Sequence, residues 1–226
     1  MSESLIKRAT LEFFGTFILI TAATSVIVNG KVSFMGIALA PAIAVAIMII
    51  TIGPISGVHL NPAVSFAFVL AKRMWFKDFL AYIVAQALGS IAAAYTIRLI
   101  FTQAIAGQFR NGVTSLAPGV SFAMGFVIET ILTFILVLTV FIATDPHRNL
   151  TPHTIAISIA GVITVQILAF GTTTGASFNP VRWLGPAITS GYFTNSALYL
   201  LSPFIGGALA VIVQRYLSSD PGRSPA

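Results

Sequence analysis

The chain has 226 residues, of which 57% are hydrophobic and only 8% charged, and its mean hydropathy is +0.95. A soluble domain carries about a quarter charged residues, so this composition excludes a soluble globular protein and predicts a polytopic helical membrane protein. Cysteine is absent, which excludes a disulfide framework and a thiol nucleophile. The three histidines lack metal-ligand spacing, and we therefore expect no metal site and no cofactor.

Six apolar segments are long enough to cross a bilayer as helices, and two others are too short. The short segments, about 61–71 and 179–190, are helical in pattern but cover about half a span, which is typical of re-entrant helices. Irregular backbone is expected before each, at 53–57 and 171–175, where protein or a water-filled cavity must satisfy its polar groups. The six predicted spans are roughly 9–28, 34–52, 78–101, 119–142, 153–170 and 196–216.

The basic residues indicate how these spans are oriented. In a six-span arrangement, eight of them lie on one side of the membrane and three on the other. This asymmetry follows the positive-inside rule and places both termini of a multi-pass cell-membrane protein in the cytoplasm. The net charge of +6 therefore encodes orientation, and no nucleic-acid partner is expected. The eight are Lys7, Arg8, Lys72, Arg73, Lys77, Arg148, Arg215 and Arg223, and the three are Lys31, Arg98 and Arg110.

Two Asn-Pro dipeptides, Asn61-Pro62 and Asn179-Pro180, begin the two short segments 118 residues apart. Other pairs recur at an offset of 117 or 118, which indicates an internal repeat with halves of about 1–110 and 111–226. Each half holds three spans and one half-helix, and an odd number of spans forces the second half to enter the membrane inverted. The further pairs are Glu12 and Glu129, Gly57 and Gly175, and Gly89 and Gly206.

The two dipeptides also predict a polar site at the middle of the membrane. Asn is a strong helix N-cap, and Pro is favoured at the first helical position. In an inverted repeat the two half-helices meet at their N-termini, whose positive dipole ends point at one spot. We expect the backbone to hold the side chains of Asn61 and Asn179 so that amide N–H donors face a lumen. The pattern favours a pore or a transport site.

The segment Ser56-Gly-Val-His-Leu-Asn-Pro-Ala63, the second Asn-Pro, Arg182 three residues after Asn179, and the paired glutamates together resemble the aquaporin and aquaglyceroporin family of major intrinsic proteins. The resemblance covers essentially the whole chain. It implies an all-α bundle of six tilted transmembrane helices and two re-entrant half-helices, assembled in the lipid bilayer as a homotetramer with one pore per subunit. The half-helices then start with Pro62-Ala63 and Pro180-Val181, and Val181 replaces the usual alanine.

The resemblance also implies roles for single residues. Arg182 matches the arginine of the outer constriction, and His59 matches a histidine of the cytoplasmic half of the pore. Glu12 and Glu129 match glutamates that accept hydrogen bonds from the irregular backbone before each half-helix. Their symmetric placement favours this structural role over proton transfer.

The constriction that the resemblance implies departs from both common subtypes. Counted without gaps, its four positions are Pro41, Ile167, Ala176 and Arg182. By this resemblance, the four positions of water-selective members hold Phe, His, a small residue and Arg. Those of glycerol channels hold Trp, Gly, Phe and Arg. Replacement of the aromatic and the histidine by Pro41 and Ile167 predicts a wider, less polar ring that suits small neutral solutes.

The sequence therefore predicts a passive channel for water and small uncharged solutes, such as polyols or neutral metalloid acids, without enzymatic activity. A strictly water-selective channel is the alternative. A proton-coupled secondary transporter is a further rival because it too uses inverted repeats, but only Glu12 and Glu129 could supply its coupling site. An intramembrane hydrolase is disfavoured because no nucleophile–base pair can be assembled.

Overall fold

A computed structural model of the protein describes residues 3–218, and within that range all regular structure is helical. Arg223, one of the basic residues used to predict orientation, lies outside the described residues. Two 3-10 helices, Arg110–Gly112 and Pro146–Arg148, flank the sixth α-helix. The α-helices are α1 (Leu5–Asn29), α2 (Phe34–Ser56), α3 (Pro62–Leu70), α4 (Phe76–Ile100), α5 (Thr102–Gln108), α6 (Phe122–Ala143), α7 (Pro152–Phe170), α8 (Pro180–Ser190) and α9 (Ser196–Ser218).

Helices α1, α2, α4, α6, α7 and α9 are each long and apolar enough to cross a membrane, and no other helix between residues 3 and 218 is. The predicted six-span helical fold is confirmed, and the two short helices that begin at the Asn-Pro dipeptides are α3 and α8, with 9 and 11 residues. A third short helix, α5, has 7 residues and was not predicted. One local prediction is wrong: residues 53–56 are the last turn of α2 rather than irregular backbone. A proline removes one backbone N–H and leaves one carbonyl of the preceding turn without its hydrogen bond. The last turn of α2 tolerates this loss at Pro54. Gly57 then ends the helix at φ 85°.

Polar side chains fix where the helices begin. Ser4 caps α1 by accepting a hydrogen bond from the backbone N–H of Lys7, and Thr151 caps α7 in the same way. Each such bond satisfies one of the N–H groups that the first helical turn leaves without a partner. Ser33 and Ser121 similarly cap α2 and α6, and Asn61 and Asn179 cap α3 and α8.

Glycines allow two pairs of spanning helices to approach closely. A Cβ atom placed on Gly89 of α4 would overlap the carbonyl oxygen of Phe13 in α1. A Cβ atom on Gly206 of α9 would overlap the carbonyl oxygen of Thr130 in α6. The two positions are 117 residues apart in the sequence, and they join α1 with α4 and α6 with α9. Small residues at such positions permit backbone contact between membrane helices.

The distribution of side chains is that of a multi-pass membrane protein. Large apolar side chains cover much of the outer surface, as at Leu99, which is 82% exposed, and Ile157, which is 72% exposed. By contrast, Glu12, Gln86 and Glu129 in the spanning helices are fully buried. Lipid solvates the apolar surface, while the buried polar groups require partners inside the bundle.

Candidate functional site

The centre of the molecule is built from the two asparagine N-caps. The side chain of each asparagine donates a hydrogen bond to the loop that precedes the other asparagine. Asn61 Nδ2 donates to the carbonyl oxygen of Phe178 at 2.8 Å, and Asn179 Nδ2 donates to that of Leu60 at 2.9 Å. The amide oxygens accept hydrogen bonds from the backbone N–H groups two residues later, at Ala63 and Val181. Each amide nitrogen has a second hydrogen without a protein acceptor in the described chain, and both asparagines line the same cavity.

Two buried glutamates hold the loops that precede the half-helices. Glu12 accepts hydrogen bonds from the backbone N–H groups of His59 at 2.9 Å and Leu60 at 2.7 Å. Glu129 accepts hydrogen bonds from those of Ser177 at 3.0 Å and Phe178 at 2.6 Å. A carboxylate that receives several backbone N–H groups can compensate part of its cost of burial.

The held loops are strained. Leu60 and Phe178, immediately before the asparagines, have φ of 50° and 34°. Val58 and Ala176 have φ of 51° and 42°. A non-glycine residue in this left-handed region costs of order 1–3 kcal/mol and persists only where the surroundings impose it. The glutamate contacts provide that constraint, and they leave the carbonyls of residues 60 and 178 available to the asparagines.

A single cavity of about 410 Å³ runs past this centre. The four residues of the predicted constriction line it together with His59, Asn61 and Asn179. The remaining predicted site residues stand behind the cavity wall and are buried: Glu12, Pro62, Ala63, Glu129, Pro180 and Val181. The lining is mostly apolar, with aliphatic side chains from α1, α2, α6 and α7 such as Leu19, Val45, Leu136 and Ile163.

Arg182 lies in the first turn of α8 and is fixed by a partner that sequence reasoning missed. Its Nη1 atom donates to the carbonyl oxygen of Gly112 at 2.8 Å. Gly112 has φ 72° and lies against Thr24 of α1. The Asn111-Gly112 dipeptide is a turn signal, which could have indicated that a carbonyl becomes available there. The guanidinium retains further N–H donors toward the cavity.

His59 belongs to a buried polar chain that also was not expected. Gln86 Nε2 donates to Glu12 Oε2 at 2.9 Å and to Ser65 Oγ at 3.2 Å. Ser65 Oγ lies 3.0 Å from Nδ1 of His59. Ser65 Oγ accepts from Gln86 and keeps its own proton; in the tautomer in which that proton is donated to Nδ1, the imidazole carries its N–H on Nε2. Polar residues inside a span, such as Gln86 in α4, were the available signal.

Arg73, which sequence analysis used only for orientation, also lines the cavity. Its Nη2 atom donates to the carbonyl oxygen of Thr144 at 3.2 Å, and its guanidinium lies 5.3 Å from the ring centre of Phe68. Burial lowers the pKa of Arg73 below its usual value, and the charge of Asp145 opposes that shift. The group stays cationic because arginine does not deprotonate in proteins.

Six spanning helices, with two short helices that meet at their N-caps beside one elongated cavity, define a membrane channel. The profile of the major intrinsic protein family matches residues 1–214, and the chain belongs to that family. It is therefore a transmembrane channel for water and small solutes, and not an enzyme. Among residues 3–218, no group of three or more metal-ligating side chains comes together.

Similarity to individual proteins extends over nearly the whole chain. Aquaporin NIP3-1 of Zea mays is 37% identical, and the match covers 98% of this chain and 74% of that protein. The lens fiber major intrinsic protein of Lithobates pipiens is 35% identical, with 96% and 82% covered. The X-ray structure of the aquaglyceroporin from Plasmodium falciparum superposes with a TM-score of 0.85 at 26% identity, with 92% and 95% covered.

Proposed function

We propose that this channel passes water and small uncharged solutes, namely polyols such as glycerol or neutral metalloid acids. The pore would run between the two Asn-Pro motifs and past an Arg182 filter. The observation that carries the proposal is that one cavity is lined by both asparagine caps and by the four residues Pro41, Ile167, Ala176 and Arg182. Amide and guanidinium N–H groups then donate hydrogen bonds to a solute oxygen, while the aliphatic wall contacts the carbon atoms of the solute.

The composition of the four-residue ring supports solutes larger than water. Three of its members offer no side-chain donor, and Ala176 is small, so Arg182 is the one ring residue that donates through its side chain. Such a ring favours a neutral molecule with both hydroxyl groups and carbon over a file of water alone. Similarity to an aquaglyceroporin structure points in the same direction. A strictly water-selective channel is the alternative.

A proton-coupled mechanism is less well supported. It would require Glu12 and Glu129 to exchange protons with the transport path, yet neither lines the cavity. Both are fully buried and occupied by backbone N–H groups. Protonation would weaken the acceptors that hold the strained loops, so these contacts favour a structural role.

The proposed channel also has a defined internal symmetry, orientation and assembly. The halves 1–110 and 111–226 form an inverted repeat, as the reciprocal bonds of Asn61 and Asn179 suggest. Both termini face the cytoplasm of the cell membrane, following the positive-inside rule. The chain assembles as a homotetramer with one pore per subunit, as the family resemblance implies.

Stopped-flow light scattering on purified proteoliposomes tests the function. We expect fast swelling or shrinking with gradients of water, glycerol, urea and boric or arsenous acid, at rates above those of empty liposomes. Complete exclusion of glycerol and metalloid acids with fast water flow would support the strictly water-selective alternative. Saturable flux driven by a proton gradient would contradict a passive channel.

Replacing Arg182 tests the proposed filter. Arg182→Val removes a positive charge from the pore, and at an effective dielectric constant near 20 such a charge is worth a few kcal/mol against a cation. We expect cation leak, measured as dissipation of a potassium gradient, to rise at least about tenfold. Arg148→Val, which removes an exposed loop arginine outside the cavity, is the control. Equal leak in both variants would place Arg182 off the conduction path.

A further inference from the structure

The two cavity-lining arginines stand at opposite ends of the channel. Arg73 is held by the carbonyl of Thr144, which directly follows α6, and Arg182 by the carbonyl of Gly112, which precedes α6 in the chain. Helix α6 has 22 residues and is therefore about 33 Å long. We call the end formed by His59, Phe68, Arg73 and Thr144 the Arg73 mouth.

The Arg73 mouth brings an aromatic wall and two donors together. The ring of Phe68 is stacked on that of Phe141 at 5.0 Å between centroids, and the Arg73 guanidinium lies over both rings. The imidazole of His59 lies against Phe68 from further inside, with ring centroids 4.4 Å apart. His59, Phe68 and Arg73 all line the cavity. The aromatic ring of Phe68 is therefore in contact with both an imidazole and a guanidinium.

Both flanking groups have N–H donors to offer. One of the five guanidinium N–H groups of Arg73 donates to the carbonyl of Thr144, and the contact with the Phe68 ring beneath it helps to hold the guanidinium in place. Nδ1 of His59 faces Ser65, and Nε2 lies beside Gly57 of the cavity wall. In the tautomer in which Ser65 donates to Nδ1, Nε2–H is the free donor. At the predicted constriction, by contrast, Arg182 is the one ring residue with side-chain N–H donors, and the other three, Pro41, Ile167 and Ala176, are apolar.

We propose that the Arg73 mouth is a second solute-selecting site of the channel, which binds neutral polyhydroxylated molecules through His59, Phe68 and Arg73. This inference rests on the proposed function and names the part of the pore that favours a polyol. One hydroxyl oxygen accepts from Nε2 of His59 and another from the guanidinium, while the C–H edge of the solute lies on Phe68. Water needs these donors less, because each water molecule also bonds to its neighbours in the file.

The test measures glycerol and water permeability of the full chain in proteoliposomes. Arg73→Leu keeps bulk but removes the donors, and we expect the ratio of glycerol to water permeability to fall about tenfold. Arg73→Lys retains a charged donor and is expected to restore most of the ratio, a rescue that a merely structural role would not require. Lys77→Gln, an exposed residue outside the cavity, is the matched control and should leave both rates unchanged.

The outcomes separate this inference from the proposed function. An unchanged ratio in Arg73→Leu, or an equal fall of both rates, would overturn the Arg73 mouth as a selecting site and leave the channel function standing. A wild-type protein that passes neither water nor glycerol would instead overturn the proposed function. If Arg73→Leu fails to reconstitute, Arg73→Gln replaces it, and the ratio must again fall for the inference to hold.

Discussion

Gly89→Ala and Gly206→Ala each destabilise the bundle, and we expect the thermal midpoint in detergent to fall by about 5 °C or more. The new methyl group has no room, because a Cβ at residue 89 overlaps the carbonyl oxygen of Phe13 and one at residue 206 overlaps that of Thr130. Both obstacles are helix backbone, so relief requires α1 to separate from α4, or α6 from α9. Separation removes packing along the whole interface.

Gly161→Ala is the matched control for these two substitutions. Gly161 also lies in a spanning helix, α7, but a Cβ atom there meets nothing within 4 Å. Alanine is favoured over glycine inside a helix by up to about 1 kcal/mol, so this variant should keep or raise the midpoint. A fall in Gly161→Ala equal to that in Gly89→Ala would contradict the close-approach explanation.

Glu129→Leu is expected to abolish water and solute flux. The carboxylate accepts hydrogen bonds from the backbone N–H groups of Ser177 and Phe178 and from the hydroxyl of Thr174. Each buried donor left without an acceptor costs about 1–3 kcal/mol, so two backbone groups together cost about 4 kcal/mol. The strained loop before Asn179 would then relax and carry the N-cap away from the pore. Stopped-flow rates and the thermal midpoint measure the two consequences.

Graded substitutions distinguish this structural role from proton transfer. Glu129→Gln keeps one acceptor oxygen, and we expect partial flux that is independent of a proton gradient. Glu3→Leu, which changes an exposed glutamate near the N-terminus, should leave flux unaffected. Wild-type flux and midpoint in Glu129→Leu would show that the loop holds its shape without the carboxylate.

The spanning helices and the half-helices could be predicted because their signals are local. Length and apolar composition identify α1 or α6 as a span, and the same criteria mark α3 and α8 as too short. The Asn-Pro dipeptides fix helix starts through capping, which needs only neighbouring residues. Proline gave one false signal, since Pro54 fits inside the last turn of α2 rather than ending the helix.

Most of the contacts in the site that were not predicted join residues far apart in the chain. The bond from Asn61 to the carbonyl of Phe178 joins residues 117 positions apart, and that from Arg73 to Thr144 spans 71. No local rule predicts left-handed backbone at Leu60 or Phe178, because bulky residues avoid it unless their surroundings impose it.

Hydropathy, spacing and local capping were enough to predict the membrane class, the six spans and the two polar caps, because each depends on residues close together in the chain. Only the folded chain shows which carbonyls the asparagines bond, that Gly112 holds Arg182, and that His59, Phe68 and Arg73 lie at one end of the cavity. A carbonyl or a side-chain donor acquires its direction from backbone torsions and packing. Both are set by residues far away in the chain.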